Sequence, residues 1–72
     1  MITCISDIDD NNPKHEQAVL SAVRNLGLEH LTAGSQPASH MFYSVWDALT
    51  CESCTVDQAE ATLCEEINFF LS

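Results

Sequence analysis

The residues of this chain most able to do chemistry are carboxylates that no basic side chain accompanies. After Arg24 the sequence contains no Lys or Arg, although seven of its acidic residues still follow. Such carboxylates attract metal cations, cationic ligands and basic protein surfaces, and they repel nucleic acid and anionic membranes. Six of them are predicted to bind a partner: Asp47, Glu52, Asp57, Glu60, Glu65 and Glu66. The pattern indicates a binding protein and defines no reaction.

Three aromatic residues lie beside or opposite the predicted apolar stripes of their helices. Tyr43 and Trp46 flank the stripe of the second helix, and Phe69 faces away from that of the third. Binding energy at interfaces concentrates in such Trp and Tyr residues. We therefore predict that these three rings anchor the partner among the carboxylates. The alternative is that a small bundle simply buries them in its core.

The four cysteines offer a second kind of chemistry. Cys51 and Cys54 form a CxxC pair, a spacing that can hold zinc from one side, but a structural site needs four ligands. Cys64 and either Cys4 or a histidine would have to complete it. A thioredoxin-like redox role needs a strand before the motif, and none is predicted. We expect ordinary thiols with no metal and no cofactor, and a zinc or disulfide site is the alternative.

A superficial hydrolase pattern occurs in the second helix. His40, Ser44 and Asp47 follow one another at helical spacing. A serine inside a helix lacks the strained turn and the oxyanion donors that acyl transfer requires. The chain also has no glycine-rich phosphate loop, so we predict that the protein is not an enzyme.

Three amphipathic helices must position these residues. Their predicted spans are 13–26, 38–50 and 56–71. The first begins at Asn12-Pro13, because Asn caps free amides and Pro fits the first helical position, and it stops at Gly27. The third begins with a capping box formed by Thr55 and Gln58. Each apolar stripe can be buried only against the other two helices, which predicts a bundle.

Two details of this bundle are specific enough to test. The apolar stripe of the third helix is predicted to comprise Val56, Ala59, Leu63, Ile67 and Phe70, with Asn68 on the opposite, polar face. Residues 1–12 carry Ile2, Ile5 and Ile8 at spacing three, which suits a strand, a helical turn or an ordered arm. The predicted fold class is all-α: a small compact three-helix bundle with a short N-terminal arm, in one domain spanning 1–72.

Composition narrows the class of protein further. The 72 residues carry a formal net charge of -9, yet 46% of them are hydrophobic, which indicates a folded domain rather than a disordered acidic tail. No apolar run is long enough to span a membrane, and the N-terminus lacks the basic and apolar parts of a secretory signal. We therefore expect a soluble, cytoplasmic protein that binds neither nucleic acid nor membranes directly.

In composition alone the chain resembles small acidic inhibitors that phages encode against host nucleic-acid machinery, including anti-CRISPR, anti-restriction and glycosylase-inhibitor proteins. This likeness covers no sequence motif. It implies a non-enzymatic inhibitor, in the host cytoplasm if phage-encoded, that occupies a basic nucleic-acid-binding surface as a monomer or homodimer. Carboxylates would take the place of phosphates there. Two alternatives remain: a small zinc- or thiol-organised module, and a helical adaptor or homo-oligomer whose charge is incidental.

Overall fold

A computed structural model describes residues 1–32, 36–52 and 55–72 of the chain. Three α-helices make up most of it: α1 (Pro13–Asn25), α2 (Ala38–Glu52) and α3 (Val56–Leu71). Each helix packs against the other two, and the described ranges contain no β-strand. The predicted all-α three-helix bundle is therefore confirmed.

The first helix begins at the residue that the sequence indicates and ends one residue earlier than predicted. The Asn12 side chain accepts a hydrogen bond of 2.9 Å from the backbone N–H of Lys14, and Pro13 occupies the first helical position. The helix ends at Asn25, one residue before the predicted Leu26. Gly27 then adopts a φ of 75°, a left-handed conformation that costs a glycine little.

The other two helices are capped in different ways. At α3 the Thr55 hydroxyl accepts from the backbone N–H of Gln58, whose side chain accepts from the N–H of Thr55, so the predicted capping box is present. At α2 the preceding residue is Pro37, whose side chain cannot act as a cap. Asp10 acts instead: its carboxylate accepts hydrogen bonds of 2.8 Å from both the backbone N–H and the hydroxyl of Ser39. The far end of α2 extends to Glu52, beyond the predicted Thr50.

Residues 1–12 form an ordered arm with one 3₁₀ turn at Ile5–Asp7. Ile2 and Ile8 are both buried. The Asn68 side chain clamps the arm to α3, because its Oδ1 accepts from the backbone N–H of Ile2 and its Nδ2 donates to the Ile2 carbonyl, both at 2.8 Å. The assignment of Asn68 to an outward, polar face was therefore wrong.

The core lies where the three helices meet. Its largest fully buried side chains are Phe42, Leu63, Ile67, Val19, Val23 and Val45. The predicted stripe of α3 is correct at its centre and wrong at both ends: Val56 is 51% exposed and Phe70 is 42% exposed. Both lie in terminal turns of the helix, where the neighbouring helices cover them only in part. Cys64 is buried instead, on the flank of α3 that the arm covers.

Candidate partner-binding surface

Several carboxylates of this acidic protein are already engaged within the fold. Asp7 accepts from the backbone N–H and the hydroxyl of Thr3, and these two hydrogen bonds lower its pKa. The two bonds from Ser39 likewise lower the pKa of Asp10. Glu29 lies 3.6 Å from Arg24 in an exposed ion pair. These groups hold the N-terminal part of the chain together.

Five of the six carboxylates predicted to bind a partner differ from these groups in their surroundings. Asp47, Glu52, Asp57 and Glu65 are exposed, and Glu60 is half-buried. Within the described ranges, none of the five takes part in a hydrogen bond or an ion pair. Their charges are therefore available to a partner and repel one another in the free protein.

Glu66, the sixth predicted carboxylate, differs from these five. It is half-buried, and its Oε2 accepts a hydrogen bond of 2.7 Å from Nδ2 of Asn25. This bond links α1 to α3. Glu66 therefore makes a contact within the fold and also belongs to the set of residues predicted to bind a partner.

Aromatic residues define a groove at the junction of α2 and α3. The Trp46 indole donates from Nε1 to the carbonyl oxygen of Val56 at 3.1 Å, and this bond fastens the two helices together. The Tyr43 ring lies edge-on to the indole, with centroids 5.8 Å apart and planes at 88°. Tyr43, Trp46, Asp47, Thr50 and Val56 line the resulting groove, whose volume is about 190 Å³. The predicted residues Tyr43, Trp46 and Asp47 therefore share one site.

Sequence reasoning missed the other two residues of this groove. Val56 was assigned to the buried stripe, and Thr50 was given no role. Val56 lies ten residues after Trp46, so only the fold brings the two together. The sequence offered one indication that Val56 is exposed. Val56 directly follows the capping Thr55, and side chains in the first turn of a helix often lie outside the packed core.

The third predicted anchor, Phe69, belongs to a separate part of the surface. It is 72% exposed and packs edge-on against Phe70, with centroids 5.4 Å apart. With Asn25, Glu65 and Glu66 it lines an open depression of about 340 Å³. Six of the nine predicted residues thus line either a groove at the α2–α3 junction or a depression along the C-terminal half of α3, and Glu52, Asp57 and Glu60 line neither.

The thiols are spread over different environments. Cys51 is exposed near the end of α2, Cys4 is half-buried in the arm and Cys64 is buried. Burial, followed by the nearby charges of Glu60, Cys4 and Asp7, raises the pKa of Cys64 to about 11, so this thiol is protonated at neutral pH. Cys54, the other member of the CxxC pair, lies outside the described residues.

Neither metal nor hydrolase chemistry gains support from this arrangement. Among the described residues, no group of three or more His, Cys, Asp or Glu side chains is placed to hold a metal ion. His40 and Asp47 are exposed, Ser44 is half-buried, and no hydrogen bond joins these three side chains. His15 has a structural contact, since its Nδ1 accepts from the backbone N–H of Asp9 at 2.9 Å.

Comparisons of the chain with protein-family models, with curated proteins and with solved structures find no match. Within the described ranges, none of the helices has both the length and the apolar character needed to cross a membrane.

Proposed function

We propose that this protein is a non-enzymatic acidic inhibitor that binds a basic, nucleic-acid-binding surface of another protein. The observation that carries the proposal is a set of five carboxylates that have no partner among the described residues: Asp47, Glu52, Asp57, Glu60 and Glu65. A bundle that needed acidic residues only for solubility would normally intersperse Lys and Arg among them. Here no Lys or Arg follows Arg24.

The proposed mechanism is competition. A groove built for nucleic acid carries Lys and Arg that gain binding energy by neutralising phosphates and releasing their counterions. An array of carboxylates on a rigid bundle offers the same basic residues an alternative set of anions. Exposed aromatic rings would add apolar contacts that nucleic-acid phosphates lack. The protein would thus exclude nucleic acid from the groove without binding nucleic acid itself.

The first test is a pull-down from a host lysate at low and high salt. Charge pairing at an exposed interface weakens as the Debye length shrinks, from about 14 Å near 50 mM salt to about 4 Å near 500 mM. We expect partners recovered at low salt to be depleted at high salt and to be displaced by added nucleic acid. A partner retained equally at both salt concentrations would contradict the proposal.

The second test compares two double variants with the same change of net charge. Replacing Glu60 and Glu65 by Gln should weaken the partner roughly tenfold, because exposed charge pairs each contribute up to ~1 kcal/mol. Replacing Glu16 and Glu29 by Gln should weaken it less than about threefold, since these residues lie outside the predicted surface. Asp10 is unsuitable as a control, because it caps α2. Equal losses would mean that the charge acts as a diffuse field with no defined epitope.

One observation favours a second candidate, a homo-oligomer. Phe69 and Phe70 form an exposed aromatic pair near the C-terminal end of α3. Contiguous exposed apolar groups often mark contacts between proteins. Sedimentation at several protein concentrations, with and without Phe69→Ser, tests this candidate. A single monomeric mass at all concentrations would exclude it.

A further inference from the structure

The groove at the α2–α3 junction has a definite chemical character. The indole N–H of Trp46 is already donated to the Val56 carbonyl, so the ring offers a ligand its carbon surface rather than its donor. Tyr43 adds a second ring at nearly a right angle. Asp47 lines the same groove with an exposed carboxylate that has no partner in the described structure. Two π surfaces and one anion therefore border a single space.

These three elements select a cation with an apolar stem. A cation within about 6 Å of an aromatic ring is attracted by the negative face of the ring, most strongly by Trp. A carboxylate beside the rings adds charge pairing, and the exposed side of Val56 can pack against methylene groups. Anions are disfavoured, because no Lys or Arg lines the groove.

Size favours a small occupant such as one side chain. The groove volume of about 190 Å³ is below the roughly 300–1,000 Å³ typical of sites for cofactors and drug-sized ligands. Arginine is preferred to lysine there, since its planar guanidinium stacks on rings, is weakly hydrated and can donate two hydrogen bonds to one carboxylate.

We propose that this groove binds an arginine side chain of the basic partner, with Tyr43 and Trp46 contacting the guanidinium and Asp47 accepting its hydrogen bonds. This assignment rests on the proposed function, because it names the residue of the partner that the acidic surface recognises. Glu52 and Asp57, exposed at the end of α2 and in the first turn of α3, add to the negative field around the junction.

The experiment uses two model peptides, acetyl-Gly-Arg-Gly-Arg-Gly-amide and the same peptide with lysines. Trp46 is the only tryptophan of the chain, so its fluorescence and its indole N–H resonance report on the groove without ambiguity. Near 50 mM salt we expect the arginine peptide to shift the indole resonance and to bind about threefold to fivefold more tightly than the lysine peptide.

Three variants connect the binding to the groove. Asp47→Asn preserves shape and removes the charge, and Tyr43→Ala removes one ring that is 57% exposed; each should weaken the arginine peptide about threefold to fivefold. Glu16→Gln removes the same charge as Asp47→Asn but lies in the first turn of α1, away from the groove, so it should change the affinity less than about twofold. Circular dichroism checks that each variant keeps its helicity.

Failure of this inference is distinguishable from failure of the proposed function. An indole resonance that does not move at saturating peptide, or equal effects of Asp47→Asn and Glu16→Gln, would overturn the arginine-binding groove, while salt-sensitive binding would still support an acidic inhibitor. Equal affinity for the two peptides would overturn the preference for arginine. If the peptide bound in the groove equally well near 500 mM salt, the result would support the assignment of the groove as the arginine site and would contradict electrostatic competition.

Discussion

Replacing Asn68 by Ala should release the first residues of the N-terminal arm from α3. The Asn68 amide makes two hydrogen bonds of 2.8 Å to the backbone of Ile2, one as acceptor and one as donor. Alanine can make neither bond, so the Ile2 N–H and carbonyl lose the two hydrogen bonds that join the arm to Asn68 of α3. Ile2, which is just 4% exposed, depends on this clamp to stay in the core.

The size of the effect follows from these contacts. Each partly buried hydrogen bond contributes about 0.5–1.5 kcal/mol net, so removing both should cost about 1–3 kcal/mol. The higher helix propensity of alanine returns a few tenths of a kcal/mol. We expect a net loss of about 2 kcal/mol in the free energy of unfolding. For a domain of this size, the loss corresponds to a fall in Tm of roughly 8–16 °C.

Asn25→Ala provides the matched control. Asn25 also sits in a helix and bonds across to α3, but its single bond to the Glu66 carboxylate is exposed, so solvent screening should keep its contribution below about 1 kcal/mol. Urea unfolding followed by circular dichroism measures both variants against the parent protein. If the two variants lost stability equally, the clamp would contribute nothing beyond a surface hydrogen bond, and the reasoning would fail.

Three further predictions concern pH, thiols and metal. The pKa values of Asp7 and Asp10 are lowered from 3.8 in the fold, so their contribution to stability should be complete above about pH 5 and lost as the pH falls through 3.8 and below. In urea unfolding at several pH values, Asp10→Asn should make stability depend less on pH in that range. The rise of the Cys64 pKa from 9.0 to about 11 lowers its thiolate fraction at pH 8 about a hundredfold. Mass spectrometry after iodoacetamide treatment should therefore find Cys51 alkylated well before Cys64, and equal alkylation rates would contradict this protection of Cys64. Far-UV circular dichroism should be unchanged by EDTA and by reducing agent, since packed helices account for the core, and a cooperative loss of helicity with EDTA would favour the zinc alternative.

The local signals in the sequence predicted the helices well. Asn12-Pro13 and the Thr55–Gln58 pair act within four residues, so their capping bonds can be inferred without knowledge of the fold. The arm could not be resolved in the same way. The partners of Ile2 and Asp10 are Asn68 and Ser39, 66 and 29 positions away, and no periodicity connects such pairs.

The sequence predicted which types of residue the candidate site contains, but it did not predict which of them lie together in space. Charge and exposure could be inferred for Asp47 and Tyr43, because helical periodicity places both away from the core. The contact between Trp46 and Val56 depends on how α2 and α3 meet, which periodicity does not determine. The same limit explains why Phe69 was expected to join the other anchors and instead lines a different depression.

The use of Asp10 as a cap has a consequence for how the bundle opens. Because α2 takes its cap from the arm, and the arm also covers the flank of α3 that holds Cys64, release of one segment disturbs both helices. A transient sub-global opening of residues 1–12 would therefore fray the first turn of α2 and expose the Cys64 thiol in a single event. The first turn of α2 and the flank of α3 that holds Cys64 are therefore coupled through the same twelve residues, which carry no regular helix longer than one turn. The population of this open state, rather than global unfolding, should set the rate at which Cys64 becomes accessible to solvent.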